Sequence, residues 1–166
     1  MILYIKLGDL GKIQHHLPEI YNLQVFNMTA NITYKQSKDF TKDQITNLFH
    51  SVNWISANYP NRLFKALQNS STVITAWDKD ELVGLVRVID DTQMVAFIHY
   101  VLVNPKYQGL GIASKMLKMV KEKYQDFLYI DVMPEDRNNV PFYEKLGFEE
   151  VKTGSSLHIC NYDIQD

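Results

Sequence analysis

The sequence predicts an α/β fold: a mixed, largely antiparallel central sheet flanked by helices. Three β-rich runs, residues 73–77, 82–89 and 95–103, follow one another across short polar turns, as antiparallel neighbours do. A glycine-spaced loop then opens a basic amphipathic segment, after which the order becomes helix, strand, helix. A β-α-β unit placed after hairpins makes the sheet mixed.

The elements follow in order. Residues 1–31 read as an N-terminal extension, with a strand over 2–7 and a helix over 11–22 as its candidate elements, and residues 32–166 read as the domain. Residues 32–35 form a short strand. Thr41 and Gln44 have the spacing of a capping box and start a helix that ends near Ser51. Pro60 suits the first turn of a second helix, residues 61–68, with Leu63, Phe64 and Leu67 on one face. Asp78-Lys-Asp-Glu81 closes a hairpin, and Asp90-Asp-Thr92 turns into the third run. Met116, Leu117 and Val120 mark the apolar face of a helix over 111–124. Residues 127–132 read as a buried strand, and 140–146 as a short helix stopped by Gly147.

Bulk properties exclude several functions. With 166 residues the chain can bury one core without disulfides or metal. Its single cysteine, Cys160, forms no intramolecular disulfide and reads as a small apolar residue in the alternating segment 156–162. No zinc or other metal is expected. A net charge of −2, with lysines dispersed among acids, argues against a nucleic-acid partner. No basic leader precedes a long apolar core, and no window reaches the ~18 apolar residues of a membrane span. The expectation is a cytoplasmic protein with no membrane partner.

The run from Ile98 to Ser114 carries the chemistry. An apolar strand passes through Asn104-Pro-Lys-Tyr-Gln108 into Gly109-Leu-Gly111 and a helix. A helix N-terminus presents unpaired N–H groups and the positive end of the helix dipole, so it can hold a pyrophosphate. Gly109 and Gly111 let the backbone approach those oxygens without a Cβ in the way. A dinucleotide-binding fold competes, since Asp131 lies about twenty residues on near the end of the next strand. Against it, Ser114 replaces the third glycine, Asn104 to Gln108 intervene where a tight turn is required, and the upstream hairpins are not βαβ units. A phosphate-loop NTPase would need a Gly-Lys-Ser/Thr ending, which is missing.

Gln108-Gly-Leu-Gly-Ile-Ala113 fits the Gln/Arg-x-x-Gly-x-Gly/Ala pattern, and Val140-Pro-Phe-Tyr-Glu-Lys-Leu-Gly-Phe148 fits a Phe-Tyr-x-x-x-Gly-Phe segment one helix and one strand later. In both the chain resembles the GNAT superfamily of N-acetyltransferases, from about residue 32 to the C-terminus, including the hairpin run Val83-Gly-Leu-Val-Arg87. Trp54, Pro60, Ala66-Leu-Gln-Asn-Ser70 and Tyr107-Gln-Gly109 also look similar to plant-type serotonin N-acetyltransferases and related bacterial amine acetyltransferases.

The resemblance implies a GNAT-like sheet splayed between its central strands, acetyl-CoA as co-substrate and direct attack by a primary amine in a ternary complex. Gln108, Gly109, Gly111, Ile112, Ala113 and Ser114 would cradle the pyrophosphate. Gln108 is neutral where many relatives carry arginine, and Lys106 or Lys115 can supply the charge. Leu102 and Val103, at an expected bulge, would pair with the pantetheine arm, and Asn139 would lie beside it. Tyr143 is the implied general acid, since relatives hold this tyrosine near the CoA sulfur.

Two residues compete as base. His99 lies on the strand entering the loop, and strict alternation sets Phe97, His99 and Val101 against Ile98, Tyr100 and Leu102. Asp136 lies seven residues before Tyr143, with Glu135 close enough to take its role. Asp90 and Asp91 read as a solvated turn rather than an attractor of cations. Trp54, Tyr59 and Tyr100 are candidates for the acceptor wall. The expected acceptor is a small primary amine of arylalkylamine or polyamine type, and a homodimer is allowed. The alternatives are a protein or peptide N-acetyltransferase and a catalytically silent CoA-binding sensor, which the missing arginine at Gln108 and the missing acid at Tyr100 would suit.

Overall fold

In the computed structural model, which describes residues 31–162 and 164–166, Thr41 caps the first helix as its spacing predicts. Its hydroxyl accepts from the Gln44 amide at 3.2 Å, and Gln44 Oε1 accepts from the Thr41 amide at 2.8 Å. Helix α1 (Lys42–Ser51) turns Ile45, Leu48 and Phe49 inward. Helix α2 (Pro60–Gln68) starts at the proline and buries Leu63 and Leu67. Phe64 is only partly buried and packs edge-on against Phe40.

Five strands lie side by side in chain order: β1 (Ile32–Lys35), β2 (Thr72–Asp78), β3 (Glu81–Asp90), β4 (Val95–Val103) and β5 (Tyr129–Val132). The first four are antiparallel and β5 runs parallel to β4, which is the predicted mixed sheet. The β2–β3 hairpin extends to the Asp78–Glu81 pair, across a two-residue turn in which Lys79 takes a φ of 54°. Helix α3 (Ile112–Lys123) makes the crossover to β5. Both faces of the sheet are covered. Ile74, Val86, Val88 and Ile98 pack with Met116, Leu117 and Val120 of α3, while Val73, Trp77, Leu85 and Leu102 pack with α1 and α2. Covering both faces is why β2 and β3 read as continuous apolar runs rather than alternating ones.

Three expectations are corrected. The strand expected over 127–132 starts at Tyr129, because the Phe127 amide still bonds the Tyr124 carbonyl after the helix. It is also an edge strand, half-exposed rather than buried. Helix α4 (Val140–Glu144) is shorter than predicted, because the amides of Leu146 and Gly147 close tight turns onto Tyr143 and Glu144 and Gly147 takes a left-handed φ of 84°. Cys160 is exposed, and segment 156–162 joins no strand, so its alternation buries nothing. The N-terminal elements expected over 2–7 and 11–22 lie outside the described residues. Among the described residues no helix is long and apolar enough to cross a membrane.

Gly84 sets how closely α3 sits on β3. A Cβ there would lie 3.1 Å from Met116 Cε, 3.2 Å from Ile112 Cγ2 and 3.3 Å from Ala76 Cβ. Gly84→Val adds more than a Cβ to this contact and is expected to cost about 1–3 kcal/mol by overpacking. Because Ile112 begins α3, the same change should weaken binding of acetyl-CoA, the co-substrate that the resemblance implies, more than it weakens the fold. Thermal melts alongside calorimetric titration with acetyl-CoA check this, and unchanged affinity would detach the loop from this packing.

Candidate active site

β4 is paired with β5 only from Val95 to Ile98, although its pairing with β3 continues to Val103. The register against β3 slips between Val88–Ile98 and Arg87–Tyr100, leaving His99 as the extra residue of a bulge. The bulge was expected at Leu102 and Val103, but these two pair regularly with Leu85 and Gly84. It also breaks the strict alternation expected of β4. Ile98 and Val101 both pack toward α3, whereas Tyr100 and Leu102 pack toward α1 and α2. Beyond Ile98 the outer edge of β4 therefore faces a gap between the two strands.

A cleft of about 590 Å³ occupies this gap. Leu102, Val103, Gln108, Gly109, Gly111, Ile112, Ala113, Ser114 and Asn139 all line it, as do Tyr143 and Trp54. Val52, Val101, Tyr107 and Phe142 line it too. Sequence reasoning missed these four. Tyr107 lay inside the noted Tyr107-Gln-Gly109 run and Phe142 inside the Val140 to Phe148 segment, but nothing in the sequence shows that these, Val52 and Val101 face one cleft.

The glycine loop has the form a phosphate cradle needs. Gly109 and Gly111 take φ values of 81° and 76°, and a Cβ at either would meet no protein atom within 4 Å. The constraint on them is thus left-handed backbone, with open space beyond it. Gly111 caps α3 without a side-chain hydrogen bond, and the first turn carries no acid, so the terminal N–H groups keep their positive field. The loop is anchored from behind. Gln108 Nε2 donates to the Val103 carbonyl at 3.1 Å, so this side chain holds the end of β4. The Tyr107 hydroxyl lies 3.1 Å from Asp78 Oδ2 and 3.0 Å from Glu81 Oε2, and burial, then these acceptors, push its pKa up to about 12.

Tyr143 stands on the opposite wall, on α4, edge-on to Phe142 and Phe148 at ring separations of 5.1 and 5.8 Å. Burial raises its pKa, so the hydroxyl keeps its proton at neutral pH. Trp54 and Tyr100 are packed together at 5.4 Å and both meet Phe49, while the Tyr100 hydroxyl is 3.0 Å from Ser56 Oγ. Tyr100 therefore backs the wall that Trp54 presents. Tyr59 is directed elsewhere and donates its hydroxyl to the Tyr162 carbonyl.

Neither candidate base lines the cleft. His99 Nδ1 lies 2.9 Å from Arg87 Nη1. A guanidinium only donates, so Nδ1 accepts and the ring proton sits on Nε2. Surrounding protein first, and the Arg87 charge second, push the His99 pKa down to about 4, although part of the residue remains open to solvent. The ring is neutral at pH 7 with its one lone pair engaged, which is poor geometry for a base. Asp136 is exposed and caps the turn Arg137–Asn139, accepting from the Asn138 amide at 2.8 Å. Asp90 accepts from the Thr92 amide at 3.0 Å and from the Tyr124 hydroxyl at 2.6 Å, and Asp91 from the amides of Gln93, Met94 and Val95, so both hold the turn and Asp90 also ties it to the end of α3.

Comparison with known proteins agrees with this geometry. Residues 37–148 match the Acetyltransferase (GNAT) family, and the chain belongs to it. It is similar to the uncharacterized N-acetyltransferase ycf52 of Pyropia yezoensis, 29% identical over 124 residues that cover 71% of this chain and 70% of that protein. A ycf52-like protein of Prochlorococcus marinus is 28% identical over 127 residues, covering 74% and 70%. Among solved structures, a GNAT-family acetyltransferase of Streptococcus pneumoniae TIGR4 is 28% identical with a TM-score of 0.68, over 78% of this chain and 98% of that one. A second, from Deinococcus radiodurans and titled a putative acetyltransferase, has a TM-score of 0.69 at 24% identity, over 81% and 91%, and supports the fold. The chain is an N-acetyltransferase of the GNAT fold.

Gly111→Val tests the cradle. A β-branched residue at φ 76° is strained, and its side chain would enter the open space over the N–H groups. Calorimetry should then detect no acetyl-CoA binding at concentrations that saturate the wild type, with circular dichroism unchanged. Wild-type affinity in the folded variant would remove the loop from the cradle.

Proposed function

We propose that this protein transfers the acetyl group of acetyl-CoA to the primary amine of a small molecule, by direct attack with both substrates bound. The observation that carries the reading is the meeting of three features on one cleft: the bare N-terminus of α3, the unpaired edge of β4 beyond Ile98, and the Tyr143 hydroxyl. When bound, acetyl-CoA supplies an activated acyl carbon. The chain's own groups do the rest. Amides of the loop from Gly109 to Ser114 hold the pyrophosphate, the backbone of residues 101–103 that β5 leaves unpaired, apart from the Val103 carbonyl held by Gln108, lines up the pantetheine arm like an added strand, and Trp54 limits the acceptor end. This aromatic wall, with no carboxylate among the described lining residues, favours an arylalkylamine over a polycation.

Proton traffic follows from what the cleft contains. Among the described residues no carboxylate or histidine lines it, and in this reading an ammonium acceptor gives up its first proton to water before attack. As the C–N bond forms and the C–S bond breaks, the Tyr143 hydroxyl donates to the departing sulfur, and the second amine proton restores the phenol directly or through solvent. A phenol whose pKa is raised by burial is well kept in its donor form for this step.

Tyr143→Phe keeps the ring and removes the hydroxyl. Turnover should fall by about a hundredfold with little change in melting temperature or acetyl-CoA affinity. Wild-type turnover in a folded variant would end the role of this residue. A wild-type protein that binds acetyl-CoA yet acetylates no amine would be a sensor, and one that acts only on peptides would have an open acceptor site instead.

The pH profile separates water from His99 as proton acceptor. With water, the acid limb of kcat/KM follows the acceptor's own pKa and moves when a less basic amine is used. With His99 as base the limb would lie near the pKa of about 4 that its surroundings impose, independent of the acceptor, and would vanish in His99→Ala. The expected result is a limb that tracks the acceptor and survives His99→Ala.

A further inference from the structure

His99 is the extra residue of the β4 bulge, and what its ring can do is decided by Arg87. Arg87 Nη1 lies 2.9 Å from Nδ1, while Arg87 Nε donates to Ser70 Oγ at 2.8 Å. A guanidinium has donors only, so it takes the lone pair of the ring and leaves the ring proton on Nε2. A neutral histidine ordinarily accepts at one nitrogen and donates at the other. This one can only donate, because its acceptor is engaged. The Arg87 charge behind Nδ1 also polarises the ring, which strengthens the Nε2–H as a donor. Surrounding protein and the same charge push the ring's pKa down to about 4, so at pH 7 it is neutral and this tautomer is the one present.

The donor stands beside the acceptor end of the cleft. His99 is exposed at the point where β4 and β5 part, two residues before Val101, which lines the cleft. That spacing sets it about 7 Å from Val101 along the strand. Its ring lies 4.1 Å from Tyr100, and Tyr100 lies 5.4 Å from Trp54, so adjoining rings lead from the mouth of the gap to the aromatic wall. Charge agrees with the donor. Arg87 is the cation of this network, and among the described residues no carboxylate pairs with it. The acid of β5, Asp131, stands opposite Phe97 in the register and makes no hydrogen bond to Arg87 or His99 among the described residues.

We propose that His99 Nε2–H, backed by Arg87, recognises a carboxylate on the acceptor, so that the substrate is an arylalkylamine carrying an acid at the end remote from its nitrogen. This rests on the small-amine reading of the site given above. A carboxylate suits the pair in two ways: it accepts from Nε2–H, and its one negative charge offsets the one positive charge that Arg87 holds. A phosphate dianion would leave a charge unmatched. The amine and the acid must lie about as far apart as Val101 and His99. An α-amino acid fails this requirement, since its two groups share one carbon. A phenethylamine with a para-carboxylate meets it and has a ring between the two groups for Trp54 to contact.

Acetylation of phenethylamine, its para-carboxylate and its para-carboxamide by the full chain tests this. The carboxylate should show a KM about tenfold or more below that of the carboxamide with a similar kcat, because the contact is equal in ground and transition states. His99→Phe keeps a ring and removes the N–H, and should bring the two KM values together. Added salt should narrow the preference, since the donor is exposed. Nuclear magnetic resonance of the wild-type histidine nitrogens needs neither turnover nor a variant. It should find His99 protonated on Nε2 at pH 7, with that signal shifted by the para-carboxylate in the presence of CoA and unmoved by the carboxamide. Equal KM values for acid and amide, a preference that survives His99→Phe, or a His99 proton on Nδ1 overturns the proposal and leaves acetyl transfer to small amines standing. If none of the three amines is acetylated, the small-amine reading falls; a His99 signal shifted by the acid alone then still supports the subsite, and an unmoved signal overturns it as well.

Discussion

β4 has a strand on each side as far as Ile98 and on one side beyond it. Backbone groups in a folded protein need partners, so the outer edge of residues 99–103, apart from the Val103 carbonyl that Gln108 holds, must find them in solvent or in a bound molecule. The rest of the site depends on this divergence. The loop that follows β4 and the helix that follows β5 stand on opposite walls because the two strands separate, which is how Gly111 and Tyr143 come to face one cleft though they are 32 positions apart in the chain.

The walls are fixed by contacts from behind rather than across the gap. Gly84 admits Ile112 and Met116 close against β3, which sets the height of the α3 N-terminus over the sheet. Tyr107 ties the approach to the loop to Asp78 and Glu81 at the β2–β3 turn, and Gln108 ties its start to the Val103 carbonyl. The proposed cradle is made of backbone amides with no side chains to adjust, so its shape is decided by these supports. The same holds for Tyr143, whose direction is set by Phe142 and Phe148.

Features that depend on neighbouring residues in the chain were legible in the sequence. The Thr41–Gln44 cap, the Pro60 helix start, the strands up to Val103 and the loop glycines all rest on local chemistry, and the structure has them where the spacing sets them. What could not be read depends on partners distant in sequence. A bulge at His99 adds one residue to one side of a pairing and leaves no mark in composition, yet it reverses the faces of every later residue of β4. Burial of residues 127–132 and of Cys160 was inferred from apolar pattern alone, but a pattern says which side of a strand can be buried, not whether anything covers it. The state of the His99 ring is decided by Arg87, on another strand.

That arginine shows how the bulge is held. Burial pushes Arg87 below its ordinary pKa, and it has no carboxylate partner among the described residues. Its donors are used in a neutral network: Nε donates to Ser70 Oγ at 2.8 Å, Ser70 Oγ donates to the Ala66 carbonyl at 2.6 Å, and Nη1 reaches His99. The Tyr100 ring lies 5.5 Å from the guanidinium carbon and offers it a π face. The chain of contacts thus runs from the last turn of α2 through β3 to the extra residue of β4. A carboxylate at position 99 would neutralise Arg87 but place an anion at the mouth of the gap. A neutral histidine accepts from the guanidinium without cancelling its charge, so no anion stands at the mouth of the gap and the Arg87 cation adds to the positive field of the α3 N-terminus.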